Sequence, residues 1–276
     1  MQSAVCRKPA VPGCALTPAT IAFLPIRDIF MTTTPLPAPS DREPPRTTPV
    51  GAWWHTALLI LIIVGISAYQ GQPRFMAQAS HFSTRIPIYL GTMIYELLLF
   101  CYVWLLGLMP RKIRISEIIG GKWRRFEDFL IDVATAFLFW CVVLIALALL
   151  QLILHFSGVE SAKPLLPQNW TEVGVFVALA ITAGFCEEFV FRGYLQRQFL
   201  AWTGTAWIAI ALQAIVFGSA HLYQGWRSVI AITVYGALFG ILAWYRKSLR
   251  PGMMQHAMQD SLAGIAGYLA TKYKLI

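Results

Sequence analysis

Two adjacent glutamates and an arginine, at the end of an apolar run, are the residues of this sequence best placed to do chemistry. The run extends from Val173 to Cys186, and the motif that follows it is Glu187-Glu188-x-x-x-Arg192. An ionised side chain at bilayer depth costs roughly 2.5–3.5 kcal/mol on insertion scales. A helix that only has to cross a membrane has no use for three such groups. We therefore expect them to face a protein interior or a water-filled cavity and to mark a functional site.

The spacing within this motif separates the two carboxylates. Glu188 and Arg192 are four residues apart, so on a helix they share a face and can form an ion pair. Glu187 lies about 100° round the helix from Glu188, where it can meet another partner. The alternative is a single buried ion network of all three side chains. One arginine neutralises only one carboxylate, however, and leaves the other to be explained.

Two histidines and an aspartate follow in later apolar segments. The residues just before His221 are small, so another helix can approach closely there. His256 and Asp260 are four residues apart and present an imidazole and a carboxylate on one helix face. Singly, each has a plain explanation, as an interfacial histidine or as a polar pair at the membrane edge. Together with the glutamates they form a much more specific set.

This set supports two versions of one reaction, the attack of water on a carbonyl group. Glu187, His221 and His256 match the ligands of a catalytic zinc site with one open position. The same residues can also activate water without a metal, with glutamate as general base and histidine as hydrogen-bond partner and oxyanion donor. Zn²⁺ is therefore a candidate cofactor, and the metal-free version stays open beside it. The sequence contains no HExxH zincin motif and no GxSxG elbow.

The composition indicates a polytopic membrane protein, with the lipid bilayer as a partner. Of its 276 residues, 57% are hydrophobic and 13% are charged, and the mean hydropathy is +0.61. Soluble domains carry about 25% charged residues. The net charge of +9 fits basic cytoplasmic loops. The basic residues cluster in short loops between the predicted spans, so we expect no nucleic-acid partner. The five cysteines form no CxxC pair, and Cys186 is interpreted as a small buried residue.

About 20 apolar residues make a membrane span, and seven segments approach that length. We therefore predict an all-α fold, a polytopic integral membrane helix bundle with about seven transmembrane helices. The second of these spans contains a carboxylate without an obvious role, Glu96. The predicted spans are Ala52–Tyr69, Pro87–Met109, Phe129–Phe156, Val173–Phe191, Ala206–His221, Ser228–Tyr245 and Gly252–Tyr273.

The chain divides into three predicted parts. Residues 1–50 form a tail rich in proline and threonine, which is predicted to be disordered because it cannot bury enough apolar surface to fold alone. Residues 51–170 carry the N-terminal transmembrane helices, and residues 171–276 carry the polar motifs. Met31 begins a plausible shorter start of the chain.

The charges of the loops orient the predicted spans. Basic residues gather after spans two, four and six, and the positive-inside rule makes that side cytoplasmic. The glutamate motif then falls near the cytoplasmic face, in what we expect to be a bacterial inner membrane. One conflict arises, because span five is short and leaves His221 at the face opposite Glu187. If the two residues share a site, span five must be re-entrant or its boundaries must be wrong.

Three polar motifs, taken in order, resemble those of a known family. They are Glu187-Glu188-x-x-x-Arg192, Phe217-x-x-x-His221 and His256-x-x-x-Asp260. The family is that of the CAAX protease and bacteriocin-processing (CPBP, Abi) intramembrane endopeptidases, which include the type II CAAX prenyl endopeptidase. The resemblance covers about residues 173–273. It implies glutamate-dependent hydrolysis of a peptide bond in a membrane cavity open to the cytoplasm.

The resemblance also implies a role for each residue. It implies that Glu187 is the base that activates water and that His221 positions this water. His256 and Asp260 would stabilise the oxyanion. Glu188 and Arg192 would orient these groups. Position 260 is often asparagine in the family, with aspartate an accepted variant. An ionised aspartate cannot donate to an oxyanion. Asp260 must therefore be protonated, orient His256 or ligate a metal, which mildly favours the metal-dependent version.

The leading hypothesis is an integral membrane endopeptidase, with or without a metal, that cleaves a membrane-associated peptide or a CAAX-like C-terminus near the cytoplasmic face. Its expected partner is a peptide or membrane-protein substrate. The alternative is a non-catalytic membrane scaffold or bacteriocin immunity protein that keeps the protease fold. A third hypothesis is a proton or ion pathway, since intramembrane Glu and His chains also make relays.

Overall fold

The computed structural model describes residues 48–72, 83–155 and 165–274, which form helices joined by short connections, with no β-strand among them. The predicted all-α fold is thus confirmed for these residues, while almost all of the predicted disordered tail lies outside them. Two π-helical segments, Tyr102–Leu108 and Glu188–Leu195, directly continue α2 and α5. The α-helices are α1 Trp53–Gln70, α2 Ile86–Cys101, α3 Ile115–Ile119, α4 Phe126–Leu154, α5 Trp170–Glu187, α6 Gln196–Thr203, α7 Ala206–Ser219, α8 Trp226–Arg246 and α9 Arg250–Lys272.

Five helical segments of the described residues are long and apolar enough to cross a membrane, whereas the sequence predicted about seven. The chain is thus an integral membrane protein with the bundle architecture expected, but two predicted spans differ. Helix α7 has 14 residues, or about 21 Å at 1.5 Å per residue, which is shorter than the roughly 30 Å hydrocarbon core. Helix α9 has 23 residues, but its polar side chains make it less hydrophobic than the five segments that could cross a membrane. The five segments are Trp53–Gln70, Ile86–Arg111, Phe126–Ile153, Trp170–Thr203 and Trp226–Arg246.

The helix that carries the glutamates is much longer than predicted. It was expected to end near Phe191, but it continues through the π-helical segment and α6 to Thr203, for 34 residues in all. Gly204 then ends it with a φ of 66°, a left-handed conformation that glycine adopts without steric cost. Helix α7 returns antiparallel from this turn. Phe191 and Phe217, each thirteen residues from Gly204, accordingly pack with ring centroids 4.9 Å apart.

The same helical hairpin removes the conflict over His221. Glu187 and His221 each lie seventeen residues from Gly204, in opposite directions along the chain. Antiparallel helices rise at nearly the same rate, so residues equally far from a turn lie at the same level. The predicted boundary of the fourth span was therefore wrong, and the two residues belong to one level of the bundle.

Glycines allow the neighbouring helices to approach this hairpin closely. A Cβ atom added to Gly236 of α8 would lie 3.3 Å from the Cα of Ala214 on α7. A Cβ atom on Gly184 of α5 would lie 2.8 Å from the backbone nitrogen of Ala257 and 3.0 Å from the carbonyl oxygen of Met253, both on α9. Helix α9 therefore touches the α5 backbone within one turn of the glutamates.

Basic side chains tie the ends of α4, α6, α8 and α9 together. Asp132 of α4 is buried and forms ion pairs of 2.9 Å with both Arg246 and Arg250. Arg250 also donates a hydrogen bond to the carbonyl oxygen of Gly121, and Arg197 of α6 donates one to that of Ile118. The three basic segments of the sequence thus meet at one end of the bundle, where α9 begins.

The close contact at Gly184 predicts that a single methyl group there lowers stability. We expect Gly184→Ala to destabilise the protein by about 1–3 kcal/mol, since overpacking forces backbone shifts. Gly174→Ala is a matched control on the same helix, because a Cβ atom there meets no atom within 4 Å. The measurement is thermal unfolding of the two variants in detergent. Equal unfolding midpoints for the two variants would contradict the predicted contact.

Candidate active site

The Glu188–Arg192 ion pair lies at the centre of the site. Its N–O distance is 3.0 Å, and the two side chains are 1% and 0% exposed, so the pairing predicted from their spacing is confirmed. Arg192 also donates a hydrogen bond of 3.2 Å to the carbonyl oxygen of Gly236. Its guanidinium carbon lies 4.3 Å from the ring centroid of Phe217 and 5.0 Å from that of Phe239. Protein groups thus replace water around the buried charge.

The pair lies in the π-helical continuation of α5. All eight residues of this segment, Glu188–Leu195, are buried. π-Helical turns are rare and occur frequently at functional sites. The local backbone is therefore another feature that marks this stretch, and nothing in the sequence pattern predicted it.

His256 connects the ion pair to the other acidic residues. Its Nδ1 atom lies 3.2 Å from the Oε1 atom of Glu188. Its Nε2 atom lies 3.6 Å from Glu187 Oε2 and 3.5 Å from Asp260 Oδ2. The His256 side chain is 4% exposed, whereas the side chains of Glu187 and Asp260 are 13% and 39% exposed. The imidazole therefore lies between a fully buried side, at Glu188, and a more exposed side, at Asp260.

These contacts restrict the protonation of the two histidines. Ionised Glu188 only accepts hydrogen bonds, so the Nδ1 atom of His256 is the donor, and the imidazolium form can also donate from Nε2. The Nδ1 atom of His221 donates a hydrogen bond of 3.0 Å to the carbonyl oxygen of Phe217. In the neutral ring, the Nε2 atom of His221 then keeps its lone pair and can accept a hydrogen bond from water.

The ring of Phe217 stands between the two histidines. Its centroid is 5.3 Å from that of His221 and 6.3 Å from that of His256. The residues named by the three sequence motifs are thus brought to one region of the bundle. His221 reaches it from the turn after α7, whereas His256 and Asp260 reach it from α9.

The side chains as placed do not fit a zinc site. Within residues 48–72, 83–155 and 165–274, no group of three or more His, Cys, Asp or Glu is arranged to hold a metal ion. The proposed ligands Glu187, His221 and His256 are therefore not assembled as a ligand set. Zinc dependence stays one of the two predicted versions of the reaction. Cys186 is fully buried, which agrees with its interpretation as a small apolar residue.

One acidic residue near the site, Glu96, has a role that the sequence did not reveal. Glu96 is only 6% exposed, and Phe100, one helical turn further along α2, packs against Phe185 and Phe189 of the glutamate helix. In the sequence, Glu96 stood out only because a carboxylate in an apolar span is energetically costly. That observation did not indicate which residue it would contact.

Comparison with known proteins supports the resemblance drawn from the motifs. Residues 167–262 match the family described as type II CAAX prenyl endopeptidase Rce1-like. The match covers about a third of the chain and includes all six predicted site residues, whereas Glu96 lies outside it. The family is one of hydrolases, in agreement with the predicted enzyme class. No curated protein and no solved structure matches the chain.

The burial of the central ion pair predicts a large loss of stability when one partner is removed. We expect Arg192→Met to cost about 3–5 kcal/mol, because it leaves Glu188 as an unpaired buried charge. The double variant Glu188→Gln/Arg192→Met removes that charge and should recover part of the loss. Unfolding in detergent measures both. Arg125→Met, in the exposed pair with Glu127, is the control and should change stability little. Equal losses in the single and double variants would contradict the prediction.

Proposed function

We propose that this protein is an intramembrane endopeptidase that uses Glu187 to activate water for attack on a peptide bond. The observation that carries the proposal is the position of Glu187. Its partly exposed carboxyl lies 3.6 Å from His256 Nε2, beside a buried ion pair that occupies the neighbouring glutamate. The match of residues 167–262 to the Rce1-like endopeptidase family supports the same reaction.

In the first step, a water molecule lies between Glu187 and the lone pair on His221 Nε2. Glu187 accepts a proton as the water oxygen forms a bond to the substrate carbonyl carbon, and the carbonyl oxygen becomes an oxyanion. In the second step, the C–N bond breaks and the protonated Glu187 gives its proton to the leaving amine. Glu187 is then ionised again, so one residue serves as base and then as acid.

His256 stabilises the oxyanion in this mechanism. Its imidazolium Nε2–H points to the exposed side of the site, where the carbonyl oxygen develops charge. Glu188 fixes the ring through Nδ1, and the ion pair with Arg192 holds Glu188 in place. Asp260, 3.5 Å from Nε2, orients the imidazolium and favours its charge. Of the three roles open to this aspartate, the contact with His256 best supports orientation.

The proposed substrate is a membrane-associated peptide or a CAAX-like C-terminus, cleaved near the cytoplasmic face of a bacterial inner membrane. The gathering of the basic segments at one end of the bundle supports this orientation through the positive-inside rule. The bundle still contains all seven predicted helices, and we propose that α7 and α9 lie within the membrane among the five apolar segments.

Removal of the proposed base should abolish cleavage without unfolding the protein. We expect Glu187→Gln to lower kcat by about 10²–10⁴, the usual contribution of a general base. The measurement is cleavage by purified protein of a quenched fluorogenic peptide with a prenylated CAAX-like end. Glu127→Gln, an exposed glutamate far along the chain, is the matched control. Full activity of Glu187→Gln would overturn the proposed base. Unchanged function of this variant in cells would favour the non-catalytic scaffold.

Metal removal tests the two versions of the reaction separately. Because the carboxyl and imidazole groups do not form a ligand set, we expect a chelator such as 1,10-phenanthroline to leave the cleavage rate within about twofold of the untreated enzyme. A non-chelating phenanthroline isomer controls for hydrophobic inhibition. Loss of activity with the chelator alone, restored by added Zn²⁺, would establish the metal-dependent version.

A further inference from the structure

We propose that the first helix of the bundle holds His221 in its working position, with Ser67 as a positioning residue that acts through the turn after α7. The inference rests on the proposed function, in which His221 accepts a hydrogen bond from the attacking water. It extends the site to α1, a helix outside the Rce1-like match at residues 167–262.

The backbone of His221 lies beyond the end of a helix. Helix α7 ends at Ser219, and His221 stands between it and a single 3₁₀ turn, Leu222–Gln224. The backbone N–H of His221 donates to the carbonyl oxygen of Gly218, and its own carbonyl oxygen accepts from the N–H of Gln224. Both bonds are local to this short stretch of chain. The position of the imidazole therefore depends on what the turn packs against.

Ser67 of α1 holds this turn from outside. Its hydroxyl oxygen accepts a hydrogen bond of 2.9 Å from the backbone N–H of Leu222, the residue directly after His221. Ser67 is 2% exposed, whereas Tyr69, two residues further along α1, is 58% exposed. The hydroxyl thus belongs to the protein-facing side of α1. There it satisfies a backbone donor that would otherwise lose its partner at a cost in free energy.

The end of α1 meets the same turn at a second point. Gly71 lies one helical turn after Ser67, and its backbone N–H donates to the Ser67 carbonyl oxygen. A Cβ atom added to Gly71 would lie 3.3 Å from the Cα of Tyr223. The ring of Tyr223 has its centroid 6.0 Å from that of His221. Ser67 and Gly71 therefore contact the two residues that follow His221, which restricts how this turn can move.

Loss of the Ser67 hydroxyl should act on the chemical step. We expect Ser67→Ala to lower kcat on the prenylated fluorogenic peptide by about tenfold to hundredfold, with KM within about threefold, because a misplacement of about 1 Å can cost up to this order. Thr135→Ala is the control, since the Thr135 hydroxyl donates to the carbonyl oxygen of Ile131 on its own helix, α4. Full activity of Ser67→Ala would overturn the proposal.

A His221→Ala background separates positioning from general destabilisation. If Ser67 acts through His221, then Ser67→Ala should change the residual rate of His221→Ala by less than about twofold, since the two effects are coupled. Single-turnover cleavage at high enzyme concentration measures this residual rate. An equal fold-loss from Ser67→Ala in both backgrounds would overturn the proposal, because Ser67 would then act independently of His221.

Gly71 offers a second variant that keeps the Ser67 hydroxyl. Gly71→Val adds bulk against the backbone of Tyr223, whereas Gly65→Val is a matched control on the same helix, because a Cβ atom at Gly65 meets no atom within 4 Å. We expect Gly71→Val to lower kcat by about fivefold or more and Gly65→Val to leave it within about twofold. Equal rates in the two variants would contradict the contact at Tyr223.

A measurement without turnover keeps this inference separate from the proposed function. Hydrogen–deuterium exchange of residues 219–225 in detergent reports on the N–H of Leu222. We expect Ser67→Ala to speed exchange in this segment by about fivefold or more, because local opening becomes easier, and Thr135→Ala to leave it unchanged. Unchanged exchange in Ser67→Ala would refute the contact. Failure of the wild type to cleave the peptide would instead count against the proposed function, and the exchange result would still decide whether α1 holds the turn.

Discussion

The architecture of the site depends on one buried ion pair, Glu188 with Arg192. Burial of two charges costs several kcal/mol per ion unless protein groups replace the lost water. Here those groups come from three other helices: the ring of Phe217 on α7, the Gly236 carbonyl and Phe239 ring on α8, and His256 on α9. Each helix must therefore be in place for the pair to be stable, and the pair in turn fixes where each helix meets α5.

The site divides its acidic residues between support and chemistry. Three carboxyl groups, of Glu187, Glu188 and Asp260, contact the guanidinium of Arg192 or the imidazole of His256. Glu188 is paired with Arg192 in the buried interior, whereas Asp260 is the most exposed of the three. In the mechanism we propose, Glu187, which is 13% exposed, is the group that gains and loses a proton.

Local features of the fold and site were predictable from the sequence, and tertiary ones were not. The Glu188–Arg192 pair follows from a four-residue spacing, and hydropathy located the five apolar segments. The count of seven spans failed because α7 is short and α9 is polar, so neither meets the length and hydropathy of a span. The extent of the glutamate helix was missed because its π-helical part mixes polar and apolar residues. Contacts such as that of Phe100 with Phe189 join helices distant in sequence, which spacing alone cannot relate.

The turn at Gly204 also restricts how the length of this chain can vary. Since Glu187 and His221 are level because equal numbers of residues separate them from the turn, a deletion in one arm moves one of them by about 1.5 Å and rotates it by about 100°. A matching deletion in the other arm restores the level but not the rotation. The turn itself can therefore accept insertions, whereas the number of residues in each arm must stay fixed to keep Glu187 and His221 in position.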